Sequence, residues 1–342
     1  MGKKRIWFNN WFNTAYHIIN LIKQNGEVDF EVFGTNRNPY STVLKACDHS
    51  GIEEHMDENE YIDFCLDYCK KNDIEIFVPR SNMSVISKNS DKFESLGVKL
   101  LICCDWNNHN LLNNKAKFYE HVSSNPMFNI PKYKVVNTAQ DFEAACKYII
   151  DEGFQPCFKP VFSEGGAGFR IIDENAKSIQ SLFNFSSSRL TLDDAVSRLS
   201  QKETFNDIMV MEYIAGHEVS IDCLALDGKL ICAVPRKKLD GRIRVLEQSD
   251  EMVKIAEEIT STFNLSYAYN IQVRFDGDKP KLLEVNPRMS GGVWISCYSG
   301  INFPYLAVKL LMDNKIPEGI PEPKLGIMIS QIEEAVVLKS GI

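Results

Sequence analysis

Apolar positions in the first hundred residues follow two rhythms. Short, largely apolar runs at residues 5–8, 30–33, 74–78 and 98–102 predict buried strands. Between them, residues 14–24 and 59–72 carry apolar side chains at three- and four-residue spacing, the mark of amphipathic helices. This alternation predicts βαβ units around a parallel sheet. The turn after the first run, Asn9-Asn10-Trp11-Phe12-Asn13, holds no glycine. A dinucleotide pyrophosphate needs glycines there for close backbone approach, so the topology is Rossmann-like without the cofactor fingerprint.

The pattern then changes. Residues 105–114 are polar, rich in Asn, and read as a linker; residues 115–122 read as a helix. Thr138 with Asp141 resembles a capping box, followed by an apolar helical face of Phe142, Ala145, Cys146, Ile149 and Ile150. From Cys157 onward strands and hairpins dominate, an α+β signature, interrupted by one amphipathic helix carrying Met252, Ile255, Ala256, Ile259 and Phe263. No internal repeat or low-complexity segment is present.

Composition narrows the class. A length of 342 residues suits two or three domains, and 44% hydrophobic with 25% charged residues excludes a disordered chain. The net charge of −8, with no run of either sign, leaves no basic face for a nucleic acid backbone. The N-terminal apolar stretch is too short and too broken by Asn for a signal peptide or membrane span, and Gly2 lacks the Ser or Thr of a myristoylation signal. Ten cysteines sit mostly inside apolar runs, with no CxxC pair or zinc spacing, so the expected location is the reducing cytoplasm.

Three segments could carry chemistry. In residues 157–172, strand residues flank a loop containing Ser163, Gly165, Gly166 and Gly168, with Lys159 at its root. Backbone N–H groups unobstructed by Cβ atoms can approach phosphate oxygens, and the ammonium adds balancing charge. No GK[ST] follows, and a strand stands where a Rossmann loop would have a helix. An ordinary glycine hairpin with a solvated lysine is the alternative. In residues 208–223, a strand ends in a hinge and a second begins near Glu218; such a hinge can offer backbone groups to an adenine edge and a carboxylate to ribose hydroxyls. Taken alone it reads more readily as a solvated acidic strand face, with His217 exposed in the turn. In residues 270–292, two alternating strands flank a hairpin loop. Pairing centred on Asp278 would set Gln272 opposite Glu284 and Asn270 opposite Asn286, with Gln272, Arg274, Glu284 and Asn286 on one face. One carboxylate and two amide oxygens are hard ligands suited to Mg²⁺. Arg288 adds a fixed cation beside them, and Ser290-Gly291-Gly292 adds backbone donors for an anion.

In this order and at these separations the segments resemble the ATP-grasp superfamily of carboxylate–amine ligases, in the branch typified by carbamoyl-phosphate synthetase, biotin carboxylase and the pyrrolysine-biosynthesis ligase. EVNPRMSGG (284–292) is the most specific stretch; FVPRSN (77–82) and ACD (46–48) match short signatures of the family's preceding domain. The resemblance implies an α/β and α+β chain, with an ATP-grasp fold preceded by a Rossmann-like parallel-sheet domain. Its expected parts are that N-terminal domain at 1–107, a small subdomain with the glycine-rich loop at 108–210, and a large subdomain with the metal and substrate site at 211–342. It implies that Lys115 and Lys159 contact the ATP phosphates beneath the 163–168 loop, that Glu212 and Ile214 lie along the adenine, and that Glu218 binds the ribose. Gln272, Glu284 and Asn286 would hold two Mg²⁺ ions (Mn²⁺ as a substitute), Arg288 would stabilise the transferring phosphoryl group, and Arg236 would face phosphate or substrate carboxylate. Asn114 departs from the Asp common before the first lysine, and Gln272 is a neutral ligand where some branches use a carboxylate. The sequence ends at Ile342, soon after the third segment, leaving little room for the extra C-terminal domain many relatives carry.

The implied reaction is ATP- and Mg²⁺-dependent activation of a small-molecule carboxylate as an acyl phosphate. An amine then attacks to form an amide, with ADP and phosphate released. A homodimer fits the resemblance; nucleic acid and membrane partners do not. The rival readings are a small-molecule kinase on the same fold, which would release no free phosphate, and a non-catalytic ATP-binding protein. A nicotinamide oxidoreductase is disfavoured by the missing glycine loop.

Overall fold

The computed structural model describes residues 2–163, 165–179, 188–239 and 241–338. By compactness it divides into two units. One takes in Met1–Asn110, Val219–Gln272 and Val285–Ile342; the other takes in Leu111–Glu218 and Val273–Glu284.

The first unit opens on a five-stranded sheet of β1 (Lys4–Asn9), β2 (Phe30–Asn36), β3 (His49–Ile52), β4 (Ile76–Val78) and β5 (Lys99–Leu100), in the order β3-β2-β1-β4-β5. Every neighbouring pair is parallel. Strand β1 is apolar on both faces because both are covered. Ile6 and Phe8 pack with Ile18, Ile19 and Ile22 of the helix Ala15–Lys23, while Trp7 packs with Tyr61, Ile62 and Cys65 of the helix Glu58–Lys71. Trp7 also stacks on Phe77 with centroids 4.0 Å apart. The second helix starts at a full capping box, Asp57 with Glu60. Strand β3 was not among the expected strands: His49–Ile52 is a mostly exposed edge with no apolar period to betray it. The expected linker at 105–114 is also corrected, since Trp106–Asn113 forms a helix.

The second unit is built on β6 (Tyr133–Val136), β7 (Pro156–Pro160), β8 (Arg170–Ile172), β9 (Arg189–Leu190) and β10 (Ile208–Glu212), in the order β6-β10-β7-β8-β9. Its core joins Val136, Ile172 and Val210 to Phe142, Ala145, Cys146 and Ile149 of the helix Ala139–Asp151. Thr138 caps that helix, its Oγ1 accepting from the Asp141 amide at 3.1 Å, as the spacing predicts. Ile150, expected on the apolar face, is instead exposed.

The first unit's other sheet comprises β11 (Glu218–Leu226), β12 (Lys229–Lys238), β13 (Ile243–Leu246), β14 (Tyr267–Asp276), β15 (Lys279–Asn286) and β16 (Ile327–Ser330), in the order β15-β14-β11-β12-β13-β16. Asp227 and Gly228, both with positive φ, turn β11 into β12. Strand β14 leaves this unit after Gln272, and β15 re-enters it at Val285. The turn between them is the two residues Gly277-Asp278, so the hairpin is not centred on Asp278 as expected. The facing of Gln272 with Glu284, and of Asn270 with Asn286, therefore does not follow from the turn. Among the described residues, no helix is long and apolar enough to cross a membrane.

Candidate active site

In the second unit, strand β7 carries Lys159, and the helix Lys115–Val122 begins at Lys115. Asn114 caps that helix, its Oδ1 accepting from the Lys117 amide at 3.0 Å. Both lysines are largely buried, and each Nζ lies 3.8 Å from Glu284 Oε2. Lys115 Nζ also donates to the Ser163 carbonyl at 2.5 Å. Both ammonium groups thus face the Glu284 carboxylate in a partly desolvated place, and a place that gathers ammonium groups suits an anion. A lysine at the first turn of a helix strengthens this, since the helix dipole at that end also favours negative charge.

The loop from Ser163 leads back into β8; residue 164 lies outside the described residues. Gly165, Gly166 and Gly168 all have positive φ. A Cβ on Gly168 would stand 2.7 Å from Pro160 Cδ, so that position admits no side chain without a shift. Ser163 Oγ donates to the Pro160 carbonyl at 3.2 Å. The Cys157 thiol nearby on β7 is pushed up to about 12 by burial, which removes it as a nucleophile near neutral pH.

Glu212 ends β10 and is 2% exposed. Its Oε1 pairs with Lys281, while its Oε2 is buried without a hydrogen-bond partner. Ile214 is buried and apolar, and Glu218 is half-buried at the start of β11. Gly216 between them is obligatory: a Cβ there would meet the Phe275 carbonyl oxygen at 2.0 Å. The Arg274 Nε donates to the Gly216 carbonyl at 2.9 Å. His217 is not exposed as expected; its ring stacks on Phe275 with centroids 4.3 Å apart.

In the first unit, Gln272 and Asn286 are half-buried on β14 and β15. Arg288 follows, with Nη1 donating to the Met289 carbonyl at 3.4 Å, and lines a small cleft with Trp11, Val78, Met83 and Tyr267. Of the three expected metal ligands, two belong to the first unit and Glu284 to the second. Among the described residues, no three His, Cys, Asp or Glu side chains gather as a metal set; the expected set, with one carboxylate and two amides, is of another kind.

Arg236 does not stand open to a ligand. It is 6% exposed, and its Nη2 is 3.1 Å from Asp222 Oδ2. Asp222 is fully buried and also accepts from Asn270 Nδ2 at 2.8 Å, Ser290 Oγ at 2.7 Å and Ser296 Oγ at 2.6 Å. The polar face of β11, read as solvated, is therefore an internal network. Asp222 and Asn270 were placed on strand faces from sequence but given no role, and Ser296 and Lys281 were not singled out. For the strand residues the only signal was a polar side chain among apolar ones, which a solvated face also gives, and Ser296 lies on the short helix Val293–Ser296.

Residues 204–335 match the model of a family described as ATP-grasp in the biosynthetic pathway with Ter operon. The chain carries an ATP-grasp domain. Residues 13–101 match the PylC-like N-terminal domain, so the Rossmann-like sheet stands before the ATP-grasp domain as expected. Among curated proteins the chain is similar to the carbamoyl phosphate synthase large chain of Clostridium acetobutylicum, 22% identical over 308 residues. That match covers 85% of this chain and 27% of the relative, so the chain spans about a quarter of that relative's length. Among solved structures it resembles an L-amino acid ligase from Bacillus licheniformis, with a TM-score of 0.63 at 16% identity over 92% of this chain and 75% of that one. It also resembles N5-carboxyaminoimidazole synthetase from Staphylococcus aureus complexed with ADP, with a TM-score of 0.63 at 11% identity over 92% and 79%. At these identities the likeness establishes the ATP-grasp fold.

Proposed function

We propose that this ATP-grasp chain is an ATP- and Mg²⁺-dependent ligase that joins a small-molecule carboxylate to an amine. The observation that carries the reading is the pair of buried ammonium groups, Lys115 and Lys159, that face the Glu284 carboxylate beside a glycine loop. Ammonium groups beside backbone donors unobstructed by Cβ atoms suit a polyphosphate. The buried, unpartnered Glu212 Oε2 suits the amino group of a base. In this reading Lys115, Lys159, Ser163, Gly165, Gly166 and Gly168 hold the phosphates; Glu212 and Ile214 line the base, and Glu218 takes the ribose hydroxyls. Gln272, Glu284 and Asn286 would hold Mg²⁺, which supplies neutralisation of phosphate charge when bound. Arg288 stabilises negative charge on the transferring group. Arg236 is reassigned to holding Asp222 and Ser290 in place.

The substrate carboxylate oxygen attacks the γ-phosphorus and ADP leaves; an unprotonated amine then attacks the acyl carbon and phosphate leaves. Positioning and charge complementarity carry the phosphoryl step, so no side-chain nucleophile is required. The names of the L-amino acid ligase, carboxyaminoimidazole synthetase and carbamoyl phosphate synthase relatives support this class. The test is ³¹P NMR of the protein with MgATP and a pool of amino acids, amines and small carboxylates. ADP with free phosphate, appearing only with the pool, is expected. ADP with a new stable phosphorus signal would make the chain a kinase instead.

A further inference from the structure

Lys281 has no part in the machinery above, yet it lies in the apolar middle of β15 at 8% exposure, where a lysine is rarely found unpaired. Its ammonium pairs with Glu212 Oε1 and stands 3.2 Å from Asp276 Oδ2, with the Phe154 ring centroid 5.4 Å away. All four residues belong to the second unit. A buried carboxylate ordinarily turns both oxygens to donors, because each unmade bond to a charged group is costly. In Glu212 one oxygen is held by Lys281, and the other is left without a partner.

We infer that Lys281 is a positioning residue for base selection: it fixes Glu212 through Oε1, so that Oε2 accepts a hydrogen bond from an amino group on the bound purine. This rests on the ATP reading of the same site. A carboxylate only accepts hydrogen bonds, so an oxygen held in this direction favours a 6-amino purine and opposes a 6-oxo purine. Without the ammonium on Oε1, nothing holds the carboxylate in that orientation, and the direction of Oε2 is lost. The choice between the two purines goes with it.

The experiment is equilibrium titration calorimetry of the full chain with ATP and with inosine triphosphate, on the wild type and on Lys281→Met, Lys281→Arg and Glu212→Gln. The wild type is expected to prefer ATP by about 10- to 100-fold, the range of one hydrogen bond to a charged group. Lys281→Met and Glu212→Gln should bring the two nucleotides within about threefold, and Lys281→Arg should restore most of the preference. A merely structural lysine would weaken both nucleotides alike, so Lys281→Met with the wild-type ratio overturns the inference. Lys281→Leu, which also lacks a donor, is read in the same way and stands in if the methionine variant does not fold. Wild type that binds ATP without preference refutes the base-selection role alone; wild type that binds neither nucleotide refutes the ATP reading with it.

Discussion

Glu284 shows how one side chain can serve two ends. With Lys115 and Lys159 both 3.8 Å from the same oxygen, its charge holds two ammonium groups that would otherwise repel each other. Glu284→Gln keeps the volume and removes the charge. It should lower ADP production by about 100-fold or more, the scale of losing one preorganised electrostatic contact, while circular dichroism and thermal melting show the fold retained. Turnover near the wild-type rate would sink the metal assignment. Lys159→Met should weaken ATP binding by about tenfold or more, measured by calorimetry, because a charge-assisted contact to phosphate is lost. At this scale the sequence was informative wherever a residue belongs to a motif: Lys159 at the root of a glycine loop, Glu284 two residues before Asn286. It was silent on Lys281, because a lysine between apolar residues looks the same whether it faces water or a buried carboxylate.

Elements place these side chains through turns whose geometry leaves few choices. Gly168 has φ +77° and its missing Cβ would abut Pro160, so Gly168→Ala must strain the loop or displace β7. It should cost about 1–2 kcal/mol of stability in urea titration and weaken ATP binding more than it weakens the fold. At the carboxyl ends of the first sheet, Glu53 is 3% exposed and accepts from Thr35 Oγ1 at 2.5 Å and Tyr61 OH at 3.1 Å, with Asn10 Nδ2 as a third donor. Burial raises its carboxyl above the ordinary value of 4.5, and the hydrogen bonds only partly oppose this. A raised folded-state value means the folded chain holds the proton more tightly. The stabilisation is full below 4.5 and is lost as the pH rises through the raised value. Glu53→Gln should therefore flatten the dependence of melting temperature on pH above 4.5; an unchanged profile would assign the slope to other groups. The helices and most strands were legible at this scale because period and caps are local. The edge strand β3 and the helix Trp106–Asn113 were not, since one is exposed and the other is polar throughout much of its length.

For the whole molecule, the buried pair of Asp222 and Arg236 ties β11 and β12 to Ser290 and Ser296 farther along the chain. Removing one partner leaves an uncompensated buried charge, so Asp222→Ala should cost about 3–5 kcal/mol in thermal or urea unfolding. A loss below about 1 kcal/mol, the range of an exposed pair, would show that the site is wetter than its burial indicates. Stretches distant in sequence also make up each compact unit, so β14 and β15 each belong partly to one and partly to the other. The fold class and the chemistry-bearing motifs were determined by the sequence alone, because alternation, helical period, glycine turns and the EVNPRMSGG stretch are properties of neighbouring residues. Whether a polar side chain on a strand meets water or an opposite charge was decided only by the tertiary structure. That depends on what a distant strand or helix brings against it: Lys281 against Glu212, Arg236 against Asp222, and Phe275 against His217.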